Sequence, residues 1–348
     1  MKAKNLVLFL FLIVIGCKQD TKISTSPEVS LSKNLLYQEK DDILKIKSGK
    51  FQYSFKKNQI PFNKIIVLNS SLTGYISELG AENTIIGVSS PEYIYSDKIL
   101  NLIQQKKIHN VGNEQKYDVE KIITLKPDAV FSNYVASFEN TYQLLKNNGI
   151  EVIFLDEYKE HQPLAKTAYL KFFGKLLGKE EIANKRFSEI EENYKNVQKL
   201  AAQSTSKPNV LANEMYGDIW YLPGGKTALA HFIHDANANY ILKADDKEVA
   251  VTMSFEEVYA KSSHINYWVN AGNHTSKKDL LNINPLYNNL MVFKKGKIYA
   301  LTAKVKLKAN DFFCSGVVRA DLVLKDYVKI FHPELLPNYT LTYMNELQ

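Results

Sequence analysis

The stretch IIVLNSSLTGYISELGAENTIIGV at positions 65–88 contains the unit on which the predicted fold depends. It begins with the apolar run Ile65-Ile66-Val67-Leu68, continues through a helical stretch that ends near Gly80, and closes with the apolar run Ile85-Ile86-Gly87-Val88. Continuous apolar runs separated by helices are typical of parallel strands that are buried on both faces. The stretch therefore predicts neighbouring βα units of one compact lobe.

The same alternation extends along most of the chain. Apolar runs at 129–131 and 152–155 complete a first series, and runs at 210–212, 266–269 and 297–300, with a final helix over about 317–331, form a second. Between the two series, residues 163–204 predict one helix capped by Pro163 and about 60 Å long. The predicted fold class is α/β, with two Rossmann-like lobes at 37–162 and 205–348 joined by the long helix at 163–204.

The N-terminus has the layout of an export signal. Lys2 and Lys4 precede an apolar stretch from Leu6 to Ile15, which covers about 15 Å as a helix, half of what a bilayer core requires. Gly16-Cys17 then resembles the bacterial lipobox, whose cysteine is lipidated and becomes the first residue. We predict a lipoprotein signal peptide at 1–16, lipidation of Cys17, and an exported protein anchored to a membrane and facing the periplasm or the cell exterior; an ordinary signal peptide is the alternative.

The segment after Cys17 is polar and poor in aromatic residues, which predicts a flexible tether over 17–36. From Ile43 to Phe55 polar and apolar residues alternate on both sides of Ser48-Gly49-Lys50. A period of two around a Ser-Gly turn predicts a β-hairpin.

Composition excludes several classes of protein. The 348 residues are 45% hydrophobic and 23% charged, as in a soluble globular protein. The net charge of +7 is spread along the chain without a dense basic run, and Arg186 and Arg319 are the only arginines, so nucleic-acid binding is not expected. Two cysteines cannot form a disulfide framework. With Cys17 lipidated, Cys314 is expected to be a buried, unpaired thiol.

Several segments, in this order and spacing, resemble the solute-binding lipoproteins of ABC importers for vitamin B12, ferric siderophores and haem. They are Ile85-Ile86-Gly87-Val88-Ser89, Leu125-Lys126-Pro127-Asp128-Ala129-Val130, Pro223-Gly224-Gly225-Lys226-Thr227 and the tail from Gly316 to Asp326, in which Ala320 stands where the family usually has proline. The resemblance covers about residues 62–335. It implies a rigid connecting helix, a ligand cleft between the lobes, no catalysis, and delivery of the ligand to a membrane permease that is driven by a separate ATPase.

Two helix starts share one layout. Asp118 and Ser254 are good N-caps, and Glu120 and Glu256 both fall at the second helical position that follows. First-turn carboxylates are common because the helix dipole favours them. In the resembled family one such glutamate per lobe docks on arginines of the permease, so the resemblance assigns permease docking to Glu120 and Glu256.

The candidate cleft residues lie in the loops that follow the predicted strands, where ligands of α/β lobes bind. Their aromatic rings and polar tips suit a large planar or chelate ligand. The predicted ligand-binding residues are Ser70, Ser71, Pro91, Tyr93, Tyr95, Asn113, Asn133, Tyr134, Tyr158, Tyr216, Trp220 and Phe312.

The sequence leaves the ligand open among an iron-siderophore, haem and cobalamin. We expect no resident cofactor, and we expect a monomer whose partners are the permease, its ATPase and this small molecule, with membrane contact through the anchor alone. His231 and His234 share a helix face, but no third metal ligand is evident. The competing class is an enzyme on a similar scaffold, such as a tetrapyrrole metal chelatase, which the lipobox disfavours because such chemistry generally belongs in the cytoplasm.

Overall fold

The computed structural model describes residues 27–348. The predicted signal peptide at 1–16, the lipidation site Cys17 and the tether up to residue 26 lie outside the described residues. No helix among residues 27–348 is long and apolar enough to cross a membrane.

A four-stranded antiparallel sheet opens the described chain. Its strands, in the order β1-β2-β3-β4, are β1 Val29–Ser30, β2 Leu35–Lys40, β3 Ile43–Ser48 and β4 Phe51–Lys56. The hairpin predicted over 43–55 is confirmed, because Ile46 pairs with Tyr53 around a turn in which Gly49 has a φ of 55°. The predicted tether is wrong from Val29 onward, since Leu35 is fully buried and holds β2 against the lobe behind it.

The N-terminal lobe is built on a parallel sheet in the order β11-β10-β5-β6-β7. Its strands and the small hairpin beside them are β5 Ile65–Val67, β6 Ile85–Val88, β7 His109–Asn110, β8 Gly112–Asn113, β9 Lys116–Tyr117, β10 Ala129–Ser132 and β11 Glu151–Phe154. Its helices are α1 Thr73–Glu78, α2 Asp97–Gln104, α3 Val119–Leu125 and α4 Glu139–Asn147. The strands predicted at 65–68, 85–88, 129–131 and 152–155 are confirmed to within one residue.

Both faces of this sheet are buried, which explains the continuous apolar runs. Ile65 and Val67 pack in a core with Tyr75 of α1, whereas Ile66 packs in a second core with Ile122 of α3. The carboxyl ends of the parallel strands all meet at one edge, which places the loops after them side by side.

The connecting segment is three helices rather than one: α5 Pro163–Thr167, α6 Tyr169–Leu176 and α7 Glu180–Ala201. The predicted single helix over 163–204 is wrong because Gly178, with a φ of 65°, lets the chain reverse between α6 and α7. Gly174 then permits close packing, since a side chain there would collide with Ala183.

Helix α7 is the element shared by both lobes. Its 22 residues span about 33 Å. Ala183 and Ile190 pack in the N-terminal core, whereas Tyr194 and Ala201 pack in the C-terminal core. The predicted role of a long helix that joins the lobes therefore belongs to α7.

The C-terminal lobe repeats the α/β plan. Its sheet has the order β15-β12-β17-β18-β21, with only β21 antiparallel, and a second antiparallel sheet has the order β13-β14-β16. The strands are β12 Asn209–Ala212, β13 Met215–Tyr216, β14 Ile219–Pro223, β15 Asn239–Tyr240, β16 Ala250–Met253, β17 Tyr267–Val269, β18 Lys297–Ala300, β19 Val305–Lys306, β20 Ala309–Asn310 and β21 Asn345–Glu346. The helices are α8 Ala228–Asp235, α9 Phe255–Lys261, α10 Lys277–Ile283, α11 Met291–Lys295, α12 Ser315–Val318 and α13 Ala320–Phe331.

The final helix is interrupted where the sequence predicts continuity over 317–331. Arg319 leaves helical geometry, with a φ of −91° and a ψ of 62°, between α12 and α13. Its guanidinium donates two hydrogen bonds to Asp321, of 2.9 and 2.8 Å. The break lets α12 turn toward the N-terminal lobe while α13 stays packed on α7.

Candidate functional site: the cleft between the lobes

The loop after β6 forms one edge of the cleft together with the β19–β20 hairpin. Lys306 Nζ lies 2.6 Å from Asp97 Oδ1 and 4.4 Å from the ring centre of Tyr95. Lys308 Nζ lies 5.8 Å from the ring centre of Tyr93, which is 42% exposed. The structure thus brings the predicted Tyr93 and Tyr95 together, beside two cations from the other lobe that sequence reasoning missed.

Helix α12 closes the inner end of this edge. Its neighbour Cys314 is buried, with Sγ 3.9 Å from the carbonyl oxygens of both Ser70 and Tyr93. Burial raises the pKa of the Cys314 thiol to about 11, so the group is a neutral packing element near pH 7. Pro91 opens the turn that carries Tyr93 across from it.

A side chain at Gly74 of α1 has no room at this contact. A Cβ there would lie 2.7 Å from the carbonyl carbon of Cys314 and closer still to its oxygen. Gly74→Ala is therefore expected to lower the free energy of unfolding by about 1–3 kcal/mol, because the lobes must separate to admit the methyl group. Urea unfolding measures the loss. Gly316→Ala is the matched control, since its nearest neighbour would be 3.4 Å away, and an equal loss in both variants contradicts the close contact.

Polar side chains at three strand ends of the N-terminal lobe form a hydrogen-bonded cluster. Asn133, after β10, donates hydrogen bonds of 2.9 Å to the Leu155 carbonyl and 2.8 Å to Glu157 Oε2. Ser71 Oγ donates to Glu157 Oε1 at 3.4 Å, and Asn69 Oδ1 accepts from the Asn133 backbone at 2.8 Å. The predicted Ser71 and Asn133 are thus held in place by Glu157.

Glu157 is an unusual carboxylate because it is only 2% exposed. Burial raises its pKa to about 7, although hydrogen bonds from Asn133 and Ser71 and the charge of Lys166 oppose the rise. Burial also lowers the pKa of Lys166. Glu160, the next carboxylate along the chain, accepts hydrogen bonds from Ser32 at 2.5 Å and Tyr169 at 3.3 Å.

The raised pKa of Glu157 predicts a pH-dependent stability. The folded protein retains the proton between pH 4.5, the ordinary pKa, and about pH 7, so the stability that this group contributes is present below pH 4.5 and is lost as the pH rises through 7. Relative to Glu157→Gln, which keeps the shape but cannot ionise, the wild type should lose up to about 3 kcal/mol over this range. Unfolding curves at several pH values test this, and a pH-independent difference between the two proteins contradicts it.

Three of the predicted aromatic residues stand toward solvent or at the rim. Tyr158 is 51% exposed in the turn after β11, and Tyr216 is 83% exposed at the tip of the β13–β14 hairpin. Phe312 is half-buried and packs edge-on against Phe313 and Tyr343. Each lies in a loop or at a hairpin tip near a strand end, as the sequence indicates.

Two predicted residues serve mainly local packing. The ring of Tyr134 packs between Phe51 and Phe154, with Lys50 Nζ 4.3 Å from its centre. Asn113 is exposed, but its Oδ1 accepts from the backbone of Gln115 and Lys116 and thereby closes the β8–β9 turn. Its strand touches the cleft loop through the Gly112 carbonyl, which accepts from Ser90 at 2.9 Å.

Trp220 is not a cleft residue, and its prediction is wrong. It is fully buried against Trp268 and Tyr287, and its Nε1 donates to the Ala212 carbonyl at 3.1 Å. Residues alternate along β14, so Trp220 and Leu222 point inward while Ile219 and Tyr221 point out. The run Ile219-Trp220-Tyr221-Leu222 shows no polar–apolar alternation in the sequence, so the structure is needed to identify Tyr221 as the accessible ring.

The C-terminal lobe contributes a hydrogen-bonded pair at the ends of β12 and β17. His274 Nε2 lies 2.6 Å from Glu214 Oε2, and both side chains are about three-quarters buried. Beside them Asn310 Nδ2 donates to Asn273 Oδ1 at 3.0 Å. His274 lies 60 residues from Glu214 in the sequence and becomes its neighbour only through the sheet.

Polar side chains also connect the two lobes around Glu248. Glu248 Oε2, in the C-terminal lobe, lies 3.3 Å from Lys33 Nζ and 3.2 Å from His161 Nε2. His231 of α8 contacts Gln162 at 3.0 Å, while His234 contacts Asp235. Among residues 27–348, no group of three or more His, Cys, Asp or Glu side chains could hold a metal ion.

Glu120 and Glu256 occupy equivalent positions in the two lobes. Each is exposed as the second residue of its helix, α3 or α9. Asp118 accepts from the Lys121 backbone at 3.0 Å, and Ser254 from Glu257 at 3.2 Å, so both helix starts are fixed by the predicted caps.

Known proteins share this sequence pattern and fold. The family model for periplasmic binding proteins matches residues 65–305. An uncharacterized lipoprotein of Methanocaldococcus jannaschii is 23% identical over 316 residues, which cover 87% of this chain and 73% of the relative. A periplasmic heme binding protein from Pseudomonas aeruginosa superposes with a TM-score of 0.60 at 17% identity, covering 82% of this chain and 98% of that one.

A second solved structure has the same fold. Helicobacter pylori CeuE with Ni(II) bound superposes with a TM-score of 0.63 at 17% identity, covering 85% of this chain and 91% of that one. The resemblance read from the sequence is confirmed: this chain belongs to the periplasmic binding protein family.

Proposed function

We propose that this protein is the lipid-anchored substrate-binding component of an ABC importer, and that it captures an anionic iron chelate or haem in the cleft. The observation that carries the proposal is the cleft edge, where Tyr93 and Tyr95 of one lobe face Lys306 and Lys308 of the other. Aromatic rings stack on flat chelates, and ammonium groups pair with carboxylates or other anionic donors of a ligand.

The lysines favour an anionic ligand among the three classes that the sequence leaves open. Arg319 is bound to Asp321, and Arg186 lies on α7 near Glu189 and Glu78. The cations at the described cleft edge are lysines, which act as point charges rather than bidentate donors. Lys306 is itself paired with Asp97, so it binds a ligand anion only by sharing or leaving that carboxylate, whereas Lys308 lies beside the ring of Tyr93. Haem propionates and ferric siderophores fit this arrangement better than a corrinoid, which depends mainly on aromatic packing. Solved proteins of the same fold include a heme binding protein and one with Ni(II) bound, which agrees with a chelate or tetrapyrrole ligand.

Delivery to the permease is assigned to Glu120 and Glu256. Both carboxylates are exposed at helix starts on separate lobes, where arginines of a partner can reach them. The anchor is assigned to Cys17, which agrees with relatives that are themselves called lipoproteins. The protein would thus face the periplasm or the cell exterior beside its permease.

An uptake assay tests the proposal. Cells that lack this chain, supplied in turn with a radioactive ferric siderophore, haem or cobalamin, should lose accumulation of one iron compound and recover it when the chain is restored. The matched control is a chain with Cys17→Ser, which should restore uptake poorly because it is not held at the membrane. Unchanged accumulation of all three compounds without the chain contradicts an import role.

A further inference from the structure

The outer face of the β1–β4 sheet is cationic. Strand alternation buries Leu44 and Ile46 against the lobe and turns Lys45 and Lys47 outward. The register places Gln38 and Ser54 opposite Lys45, and Leu36 and Gln52 opposite Lys47, on the same outer face. The outward residues of β2, β3 and β4 are Leu36, Gln38, Lys40, Ile43, Lys45, Lys47, Gln52, Ser54 and Lys56.

Four of these outward residues are lysines and none is acidic. Of the acids in these strands and turns, Glu39, on the inner face, pairs with Lys175, and Asp42 pairs with Lys57 at 3.1 Å. Asp41 lies exposed in the β2–β3 turn, at the end of the sheet. Within the part of the chain that the structure describes, Lys45 and Lys47 form no ion pair. A shallow groove of about 350 Å³ runs beside them, lined also by Gln52, Ser54 and one exposed acid, Glu28, so the face keeps a net positive charge.

The sheet also lies next in sequence to the proposed anchor. Only 11 residues, 18–28, separate Cys17 from the first strand residue, Val29, and a chain of that length reaches at most about 40 Å. A lipid on Cys17 therefore confines this sheet to a narrow zone above the bilayer.

We propose that the outer face of the β1–β4 sheet rests on an anionic phospholipid surface, with Lys45 and Lys47 contacting headgroup phosphates. This rests on the proposed anchoring at Cys17, which brings the face to the membrane. The charge is complementary to phosphatidylglycerol and similar lipids, and such contacts weaken with added salt. The β1–β4 sheet precedes the segment matched by the periplasmic binding protein family, so the contact belongs to this extension.

Vesicle binding tests the face without the anchor. The chain from Lys18 to Gln348, which carries no acyl group, should bind vesicles of phosphatidylglycerol and phosphatidylcholine at low salt and bind phosphatidylcholine vesicles far more weakly. Each lysine near an anionic surface strengthens binding about fivefold, so Lys45→Gln with Lys47→Gln should weaken it about 25-fold.

The control removes the same charge elsewhere. Lys185→Gln with Lys199→Gln alters two exposed lysines of α7 and should leave vesicle binding nearly unchanged. Equal losses in the two double variants, no preference for phosphatidylglycerol, or equally tight binding of a soluble polyanion such as heparin would each overturn the proposal. Labelling of the full chain with radioactive palmitate tests the lipid anchor independently. Failure of the anchor and failure of the sheet face to bind lipid can therefore be told apart.

Discussion

Replacing both Glu120 and Glu256 by alanine should abolish uptake while the ligand affinity of the purified protein stays unchanged. Both side chains are exposed at the starts of α3 and α9, one per lobe. A charge-assisted hydrogen bond contributes about 1.5–3 kcal/mol, so the loss of two weakens docking by about 100-fold or more. The measurement is accumulation of the radioactive ligand in cells that carry the variant, beside a titration of the same variant in solution.

A matched control separates docking from helix stability. Glu181 is also exposed at the second position of a helix, α7, and Glu181→Ala removes the same favourable interaction with a helix dipole. That variant should transport normally. Normal uptake by the double variant, or an equal loss from Glu181→Ala, contradicts the assignment of Glu120 and Glu256.

Replacing Tyr93 and Tyr95 by alanine should have the opposite pattern, with ligand affinity lost and docking retained. Both rings lie at the cleft edge, and removing an aromatic anchor of a binding site typically costs 2 kcal/mol or more. The two together should therefore raise the ligand Kd about 1,000-fold. Calorimetric titration with the ligand measures the change.

Tyr259→Ala is the control for the loss of an exposed ring. Tyr259 is 51% exposed and stacks on Phe255 of α9, so its removal should leave the Kd unchanged. Lys306→Gln should weaken binding of an anionic chelate by a smaller factor than the tyrosine pair. Wild-type affinity in the Tyr93 and Tyr95 variant would place the ligand elsewhere.

The sequence predicts the sheets well because their strands are buried on both faces. In a run such as Ile65-Ile66-Val67-Leu68, successive side chains point to opposite faces of the sheet, so both faces must be covered by helices. The helix caps Asp118 and Ser254 were equally readable, since capping depends on residues three positions apart.

The errors arise where tertiary contacts override a local pattern. The helical pattern of 163–204 continues through Gly178, and only the packing of α7 back on α6 reveals a reversal there. Residues 29–36 contain no aromatic ring and follow a polar segment, yet Leu35 anchors a strand. The position of Trp220 after a predicted strand suggests a loop residue, and only the burial pattern of β14 shows that its ring points inward.

The charged residues of the site, Glu157, Lys306 and Lys308, are the hardest part to predict from the sequence. Glu157 stands in the polar string Asp156-Glu157-Tyr158-Lys159-Glu160, and nothing local indicates that it is buried. Lys306 and Lys308 lie beside the tyrosines of the other lobe, although more than 200 residues separate them in the sequence. The alternating lysines at 304, 306 and 308 were the only signal available for them.

The central claim is that the cleft binds an anionic iron chelate or haem. Calorimetric titration of the chain from Lys18 with haem, several ferric siderophores and cyanocobalamin tests it most directly. We expect saturable one-to-one binding of one anionic iron compound and loss of that binding in the Tyr93 and Tyr95 double variant. Absence of binding to every haem and siderophore tested, or binding that survives removal of both tyrosines, would contradict it.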